Sequence, residues 1–308
     1  MISGMKTKRS RRARSQLTGM LYVLPFALVW LAFLVWPVIY GFYISLWKWD
    51  PLRGSEFVGL RNYLNLFADA RFWNATWNTL EFAAISIPLI VGFGLIFAVM
   101  LHNSRFKGKA FVEASLFFPY LLNVSIISLI WAWLVDPDYG IMLHVLRLLG
   151  WESVPAFLNH PLWVIPLIAV ATGWWLSGYR TVVFRAALKD IPQSILESAE
   201  IDGANGWTRL TRIMIPLIKP AILFSVVLSA LSAFSVLGQV LVMTEGGPGR
   251  SSEVLALYLY RLGFHYFRMG EAAAVGFLLF LLMLIVTIVA FRFLGLESEF
   301  ERRGGGNR

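Results

Sequence analysis

Apolar side chains fill this chain in six long blocks, at residues 20–46, 79–101, 111–135, 162–184, 221–244 and 272–294. A helix that crosses a bilayer needs roughly 20 such residues in a row, and each block supplies about that many. Helices in a soluble core are shorter and keep a polar face, and the strands of a lipid-facing barrel alternate apolar with polar residues. Neither pattern occurs. The blocks therefore predict an all-α integral membrane protein with six transmembrane helices. One membrane domain would cover residues 17–296, between a basic tail at 1–16 and a C-terminal tail at 297–308. The first block exceeds the 7–15-residue core of a signal peptide, and no small-x-small cleavage site follows it, so it is expected to remain as a span.

Composition agrees with the pattern and charge orients it. Of 308 residues, 58% are hydrophobic and 15% charged, whereas soluble domains are nearer half apolar and about a quarter charged. Eighteen Lys and Arg fall in the N-terminal tail, the 102–110 and 185–219 loops and residues 292–308. Eight fall in the three other loops, and Arg180 lies inside a block. The basic side faces the cytoplasm, so both termini are expected there, in a cytoplasmic (inner) membrane. The net charge of +9 is thus a topology signal, and no nucleic-acid partner is expected. Without cysteine the chain has no disulfide and no cysteine-ligated metal.

Between the blocks the polar segments have distinct characters. Trp47 and Trp49 sit where interfacial anchors belong. Residues 136–151 contain a short segment with Leu143, Val145, Leu146 and Leu149 on one helical side, expected to lie on the membrane surface. TEGGPGRSS is expected to form a tight turn on Gly246, Gly247 and Pro248. No metal-spaced cluster, HExxH or GxSxG is present. The nearest thing to a phosphate loop, around Lys107-Gly108-Lys109-Ala110, has Asn103 where a glycine is needed and Ala110 where Ser or Thr would hold magnesium. The chain is therefore not expected to be an enzyme, to hydrolyse ATP itself, or to carry a cofactor or metal. No acidic residue stands near a span centre, and Arg180 is expected close to the cytoplasmic end of the fourth span. That weakens proton- or sodium-coupled carriage and mildly favours an uncharged solute.

One cytoplasmic stretch stands apart, ESAEIDGANGWTRLTRIMIP at 197–216. Asp190 is expected to cap a helix with Pro192 in its first turn. Gly203 is expected to end it in the left-handed conformation, and Asn205 to cap a second helix beginning near Trp207. Ser198, Ala199, Gly203 and Ala204 are small enough for another surface to approach closely. Glu197-Ser198-Ala199, then Gly203, then Ile213-Met214-Ile215-Pro216 resembles the Glu-Ala-Ala loop of ABC importer permeases, with every spacing kept. Ser198 stands for Ala and Ile215 for Leu. FVGLRNYLNLF, AALKDIPQSILESAEIDGA and MTEGGPGRSS are similar to segments of the maltose-type sugar-uptake subgroup, and the likeness covers about residues 17–296.

The resemblance implies a permease subunit of an ATP-driven carbohydrate importer. Its loop would be a coupling helix between the fourth and fifth spans, with Glu197, Ser198, Ala199, Asp202, Gly203, Ile213 and Pro216 meeting a separate cytoplasmic ABC ATPase, itself a dimer. A second homologous permease and an extracytoplasmic sugar-binding protein would complete the assembly in the bilayer. A stand-alone carrier or channel is the other reading. For the solute path, Ser225, Ser229, Ser232, Ser235 and Gln239 follow steps of 4, 3, 3 and 4, which would place them on one helical face. That face suits either helix packing or a neutral solute path. Trp175, Tyr179, Tyr120 and Asn123, beside Trp174 and Ser177, suit either stacking on sugar rings or packing.

Overall fold

The computed structural model describes residues 19–49, 54–103, 107–151 and 155–294. The two terminal tails, on which the predicted orientation bears, lie outside them. Almost every described element is helical, in chain order α1 (Gly19–Ser45), α2 (Arg61–Ala68), α3 (Ala70–Asn103), α4 (Lys109–Leu121), α5 (Val124–Leu134), α6 (Ile141–Leu148) and α7 (Val164–Lys189). Then follow α8 (Gln193–Ile201), α9 (Gly206–Leu217), α10 (Lys219–Phe234), α11 (Gly238–Met243), α12 (Leu255–Tyr260) and α13 (Met269–Leu294). A two-stranded hairpin pairs Trp47 with Phe57 and Lys48 with Glu56 in antiparallel register. By length and apolarity α1, α3 and α13 are able to cross a membrane, and up to five crossings result if the bent pairs α4–α5 and α9–α10 each count as one.

Two compact units contain the described residues, the first reaching to Asn65 and adding Leu262–Phe277, the second comprising Leu66–Arg261 and the chain from Leu278. In the first unit, the apolar side chains of α1 from Met20 through Tyr43 are mostly exposed. Its end is pinned. Asn62 Nδ2 donates to the carbonyls of Ser45 and Trp47 at 2.7 and 3.0 Å, and Tyr63 exchanges a 2.7 Å hydrogen bond with Ser45 Oγ. Gly270 lies so close to the Trp47 carbonyl that no side chain would fit there.

The second unit is built on α3 against α7. Buried Ala75, Thr79, Phe82, Ser86, Ile90 and Ala98 recur every three to eight residues, forming one face of α3. Glycines bring the two backbones together. A Cβ on Gly94 would lie 2.5 Å from Arg180 Cβ, and one on Gly173 would lie 3.0 Å from Leu89 Cβ. Small residues at a helix crossing allow the close packing that holds helices together in lipid, where burial from water contributes little. The helix α3 starts nine residues before the second apolar block because Asp69 caps it, accepting from Arg71 N at 2.8 Å.

Two predicted spans are not single helices. The third bends by 103° between α4 and α5. Pro119 ends the first half in a 3-10 turn, Leu122 is extended, and Asn123 Oδ1 accepts from Ser125 N at 2.9 Å to start the second. The fifth stops at Phe234, with Ser235 as its cap, and resumes at Gly238. A Cβ on Gly238 would lie 2.9 Å from Val124 Cγ1, so α11 rests closely on the first turn of α5. In α6 Leu143 is buried, while Val145 and the following Leu149 are exposed.

Candidate functional site

Two polar features stand out in the second unit, a helix–turn–helix at one end of α3 and α7 and a cavity between helices. The first begins as α7 ends. Asp190 does not cap the next helix, as expected from sequence. Its amide still bonds the Ala186 carbonyl at 3.2 Å, so it closes α7, and the N-cap of α8 is Pro192, outside the helix.

The C-terminal cap of α8 has the expected form. Gly203 takes φ +78°, its N–H donates to Glu200 O at 3.1 Å, and Ala204 N–H donates to Ala199 O at 2.9 Å. These are the two bonds of a Schellman cap. Space around the Gly203 Cα is open, so φ alone calls for glycine. Asn205 Oδ1 then accepts from Thr208 N at 2.8 Å and starts α9, and Arg209 pairs with Glu200 at 3.0 Å across the turn.

One side of this element is anchored. Ile191, Met214 and Ile218 join Ala98, Phe184 and Leu188 in a buried cluster, with Leu196 and Leu210 packed against it. Ala199 is buried too. The other side is open, with Ile201 87% and Trp207 73% exposed and Glu197, Ser198, Asp202 and Pro216 exposed beside them. Ile213 is half-buried within a π-helical stretch, Leu210–Met214.

The predicted path residues are divided. Tyr120, Tyr179 and Ser232 line one cavity of about 260 Å³ together with Arg180, Leu228 and Leu231. The two tyrosine rings stack with centroids 5.0 Å apart. Ser225 and Ser229 are fully buried behind it, Ser225 Oγ without a hydrogen-bond partner. The stripe does not continue beyond Ser232, because the helix breaks between Ser235 and Gly238. Ser235 is exposed at that break, and Gln239 is buried, its Nε2 donating to Thr172 Oγ1 at 3.2 Å. Trp175 is half-buried with its indole N–H unpartnered, and Asn123 is engaged as the α5 cap.

Arg180 sits within α7, which continues for nine residues beyond it. It is 4% exposed, donates from Nε to Ser229 Oγ at 3.3 Å, and stands over the Tyr179 ring at 5.1 Å. A lone charge inside an apolar block is itself the signal that finds such a residue.

A third feature had no sequence signal. Glu253, fully buried, receives Arg71 through two hydrogen bonds of 2.6 and 2.7 Å and Arg261 at 2.6 Å. Asn78 Nδ2 donates to the carbonyls of Glu253 and Arg250. Burial alone would raise the Glu253 carboxyl, but the hydrogen bonds and charges of Arg71 and Arg261 outweigh it and hold the group below its ordinary value. This brace fixes the Gly246–Pro248 turn at the start of α3. The 34 residues of α3 separate it from the helix–turn–helix by roughly 50 Å at 1.5 Å per residue.

A family model described as "Binding-protein-dependent transport system inner membrane component" matches residues 90–296. The chain is 32% identical over 281 residues to the sulfoquinovosyl glycerol transport system permease protein SmoG of Agrobacterium fabrum, covering 90% of each chain. It is 34% identical over 275 residues to the trehalose/maltose transport system permease protein MalF of Thermococcus litoralis, covering 88% of this chain and 91% of that one. Its fold resembles a chain in the crystal structure of a bacterial alginate ABC transporter in complex with alginate pentasaccharide-bound periplasmic protein. There the TM-score is 0.77 at 25% identity, with 92% of this chain and 95% of that chain covered.

Proposed function

We propose a mechanism from one premise: this chain belongs to the family of binding-protein-dependent transport system inner membrane components. It is the permease of a sugar-uptake ABC importer, and what remains to be assigned is how its parts serve the cycle. The observation that carries the assignment is the helix–turn–helix of α8 and α9. One face is locked into the core through Leu196, Met214 and Ile218, and the other presents Ile201, Trp207 and carboxylates to a partner.

That element is a coupling helix for a separate ATPase on the cytoplasmic side. Force applied to it reaches α3, α7 and α10 directly, since all three contribute to the cluster beneath it. ATP binding and hydrolysis in the partner would then change the tilt of these helices and the access of the cavity at Tyr120, Tyr179 and Ser232. Those residues form the solute path, as neutral donors, acceptors and aromatic faces for a sugar. Six crossings are proposed, with α7, the bent α4–α5 and the broken α10–α11 joining the three long helices, and both termini cytoplasmic. A second, homologous permease covers the apolar surface of α1 and closes the path. The turn braced by Glu253 is the end to which a loaded extracytoplasmic binding protein delivers solute. Residues 17–296 act as one transmembrane domain.

A stand-alone carrier would need no partner of this kind. Mild purification of a tagged chain tests the difference: the ATPase should co-elute in fixed proportion, and elution of a transport-competent chain alone would overturn the reading.

A further inference from the structure

We propose that Arg180 makes this permease select carbohydrates bearing an anionic group, namely a carboxylate, sulfonate or phosphate. The inference rests on the path assignment above and on the geometry of one cavity. Arg180 is buried from bulk solvent yet lines the 260 Å³ cavity with Tyr120, Tyr179, Leu231 and Ser232. Its polar and aromatic neighbours are neutral. Ser229 Oγ accepts from Nε, and the Tyr179 ring faces the guanidinium carbon. Among the described residues the ion pairs are made by Arg71, Arg185, Arg209, Arg261 and Arg268, and none includes Arg180.

Guanidinium stays charged at any physiological pH and carries five N–H donors, of which the serine contact engages one. A buried charge without a counter-charge is strongly disfavoured, and inside a membrane such a residue is retained for a task. An anionic solute entering the cavity supplies the missing charge, with two acceptor oxygens that match the planar fork. A neutral sugar of the same shape leaves the guanidinium uncompensated. Ser229 contributes by fixing Nε from behind, which leaves the terminal nitrogens for the cavity side.

The test uses the intact transporter, purified with its partner subunits, and without the binding protein so that its own selectivity does not intervene. Saturation-transfer NMR compares glucose, glucuronate and glucose 6-phosphate as probes. A charge-assisted bond to a buried partner corresponds to a preference of roughly 10- to 100-fold, so the two anions should bind that much more tightly than glucose. Arg180→Gln should bring all three within about twofold of one another, and Arg180→Lys should keep part of the preference because it keeps the charge. Recovery of the ATPase with each variant reports that the complex still assembles. If the parent binds glucose as tightly as glucuronate, or if Arg180→Gln retains the preference, the anion selectivity is wrong and the sugar permease stands. Binding of none of the three probes would overturn the path assignment together with it.

Discussion

Ser229 Oγ on α10 accepts a 3.3 Å hydrogen bond from Arg180 Nε on α7, tying together two helices that also meet beneath the helix–turn–helix. The pair lies at the cavity, on the same two helices that lead to the helix–turn–helix. A tilt of α7 against α10 would change both at once. Coupling between a cytoplasmic partner and a solute path needs such a shared, packed element with more than one arrangement.

Gly203 is the most economical place to break the proposed coupling element without touching the core. Its φ of +78° costs a β-branched residue roughly 1–2 kcal/mol, and no neighbour lies near its Cα to be displaced. Gly203→Val should leave expression and membrane insertion near parental levels while ATPase recovery and uptake fall steeply. Quantifying ATPase recovered per permease by gel densitometry decides it, and normal recovery with normal uptake contradicts the assigned role.

Gly178 marks a different kind of glycine. A Cβ there would overlap the Leu116 carbonyl, so α7 and α4 touch backbone to backbone just where the third span turns aside. Gly178→Ala should lower complex stability by about 1–3 kcal/mol, the usual cost of overpacking, or abolish assembly. Thermal unfolding followed by size-exclusion fluorescence checks this. An unchanged midpoint would show that the helices separate at no cost.

Short-range chemistry was legible in the sequence, and long-range chemistry was not. Gly203 and Asn205 act on amides within five residues, and both caps appear as expected. Asp190 was misread because the same residue type that starts a helix also tolerates ending one, and α7 ran on to meet it. Pro119 and Asn123 carried the bend of the third span openly, but apolar length alone suggested a straight helix. The pairing of Arg71 with Glu253 spans 182 positions and that of Arg180 with Ser229 spans 49, separations at which one sequence holds no register. The serine stripe was sound as a helical period to Ser232 and failed where Gly238 settled against Val124.

Glu253 gives the protein a defined acid limit. Its folded carboxyl titrates below its unfolded value, so its contribution is complete above about pH 4.5 and disappears as pH falls through the lower, folded value. Glu253→Gln leaves two arginines without their shared partner and should cost about 3–5 kcal/mol at pH 7. The thermal midpoints of parent and variant should therefore converge as the pH is lowered below 4.5. A gap that stays constant as the pH falls well below 4.5 would show that the charge is not what matters.

The proposed orientation, with both termini cytoplasmic, rests on the basic residues. A reporter that is active only inside the cell, fused after Arg308, should be active, and a protease added outside should leave an N-terminal tag intact. Removal of either tag from outside contradicts six crossings.

The most direct measurement is solute uptake by proteoliposomes containing this chain, its partner permease and the ATPase, with the loaded binding protein outside. Uptake should require enclosed, hydrolysable ATP, stop with a non-hydrolysable analogue, and be lost in Gly203→Val while the proteins remain assembled in the membrane. Uptake at the same rate without nucleotide would contradict an ATP-driven permease and identify a passive or ion-coupled carrier instead.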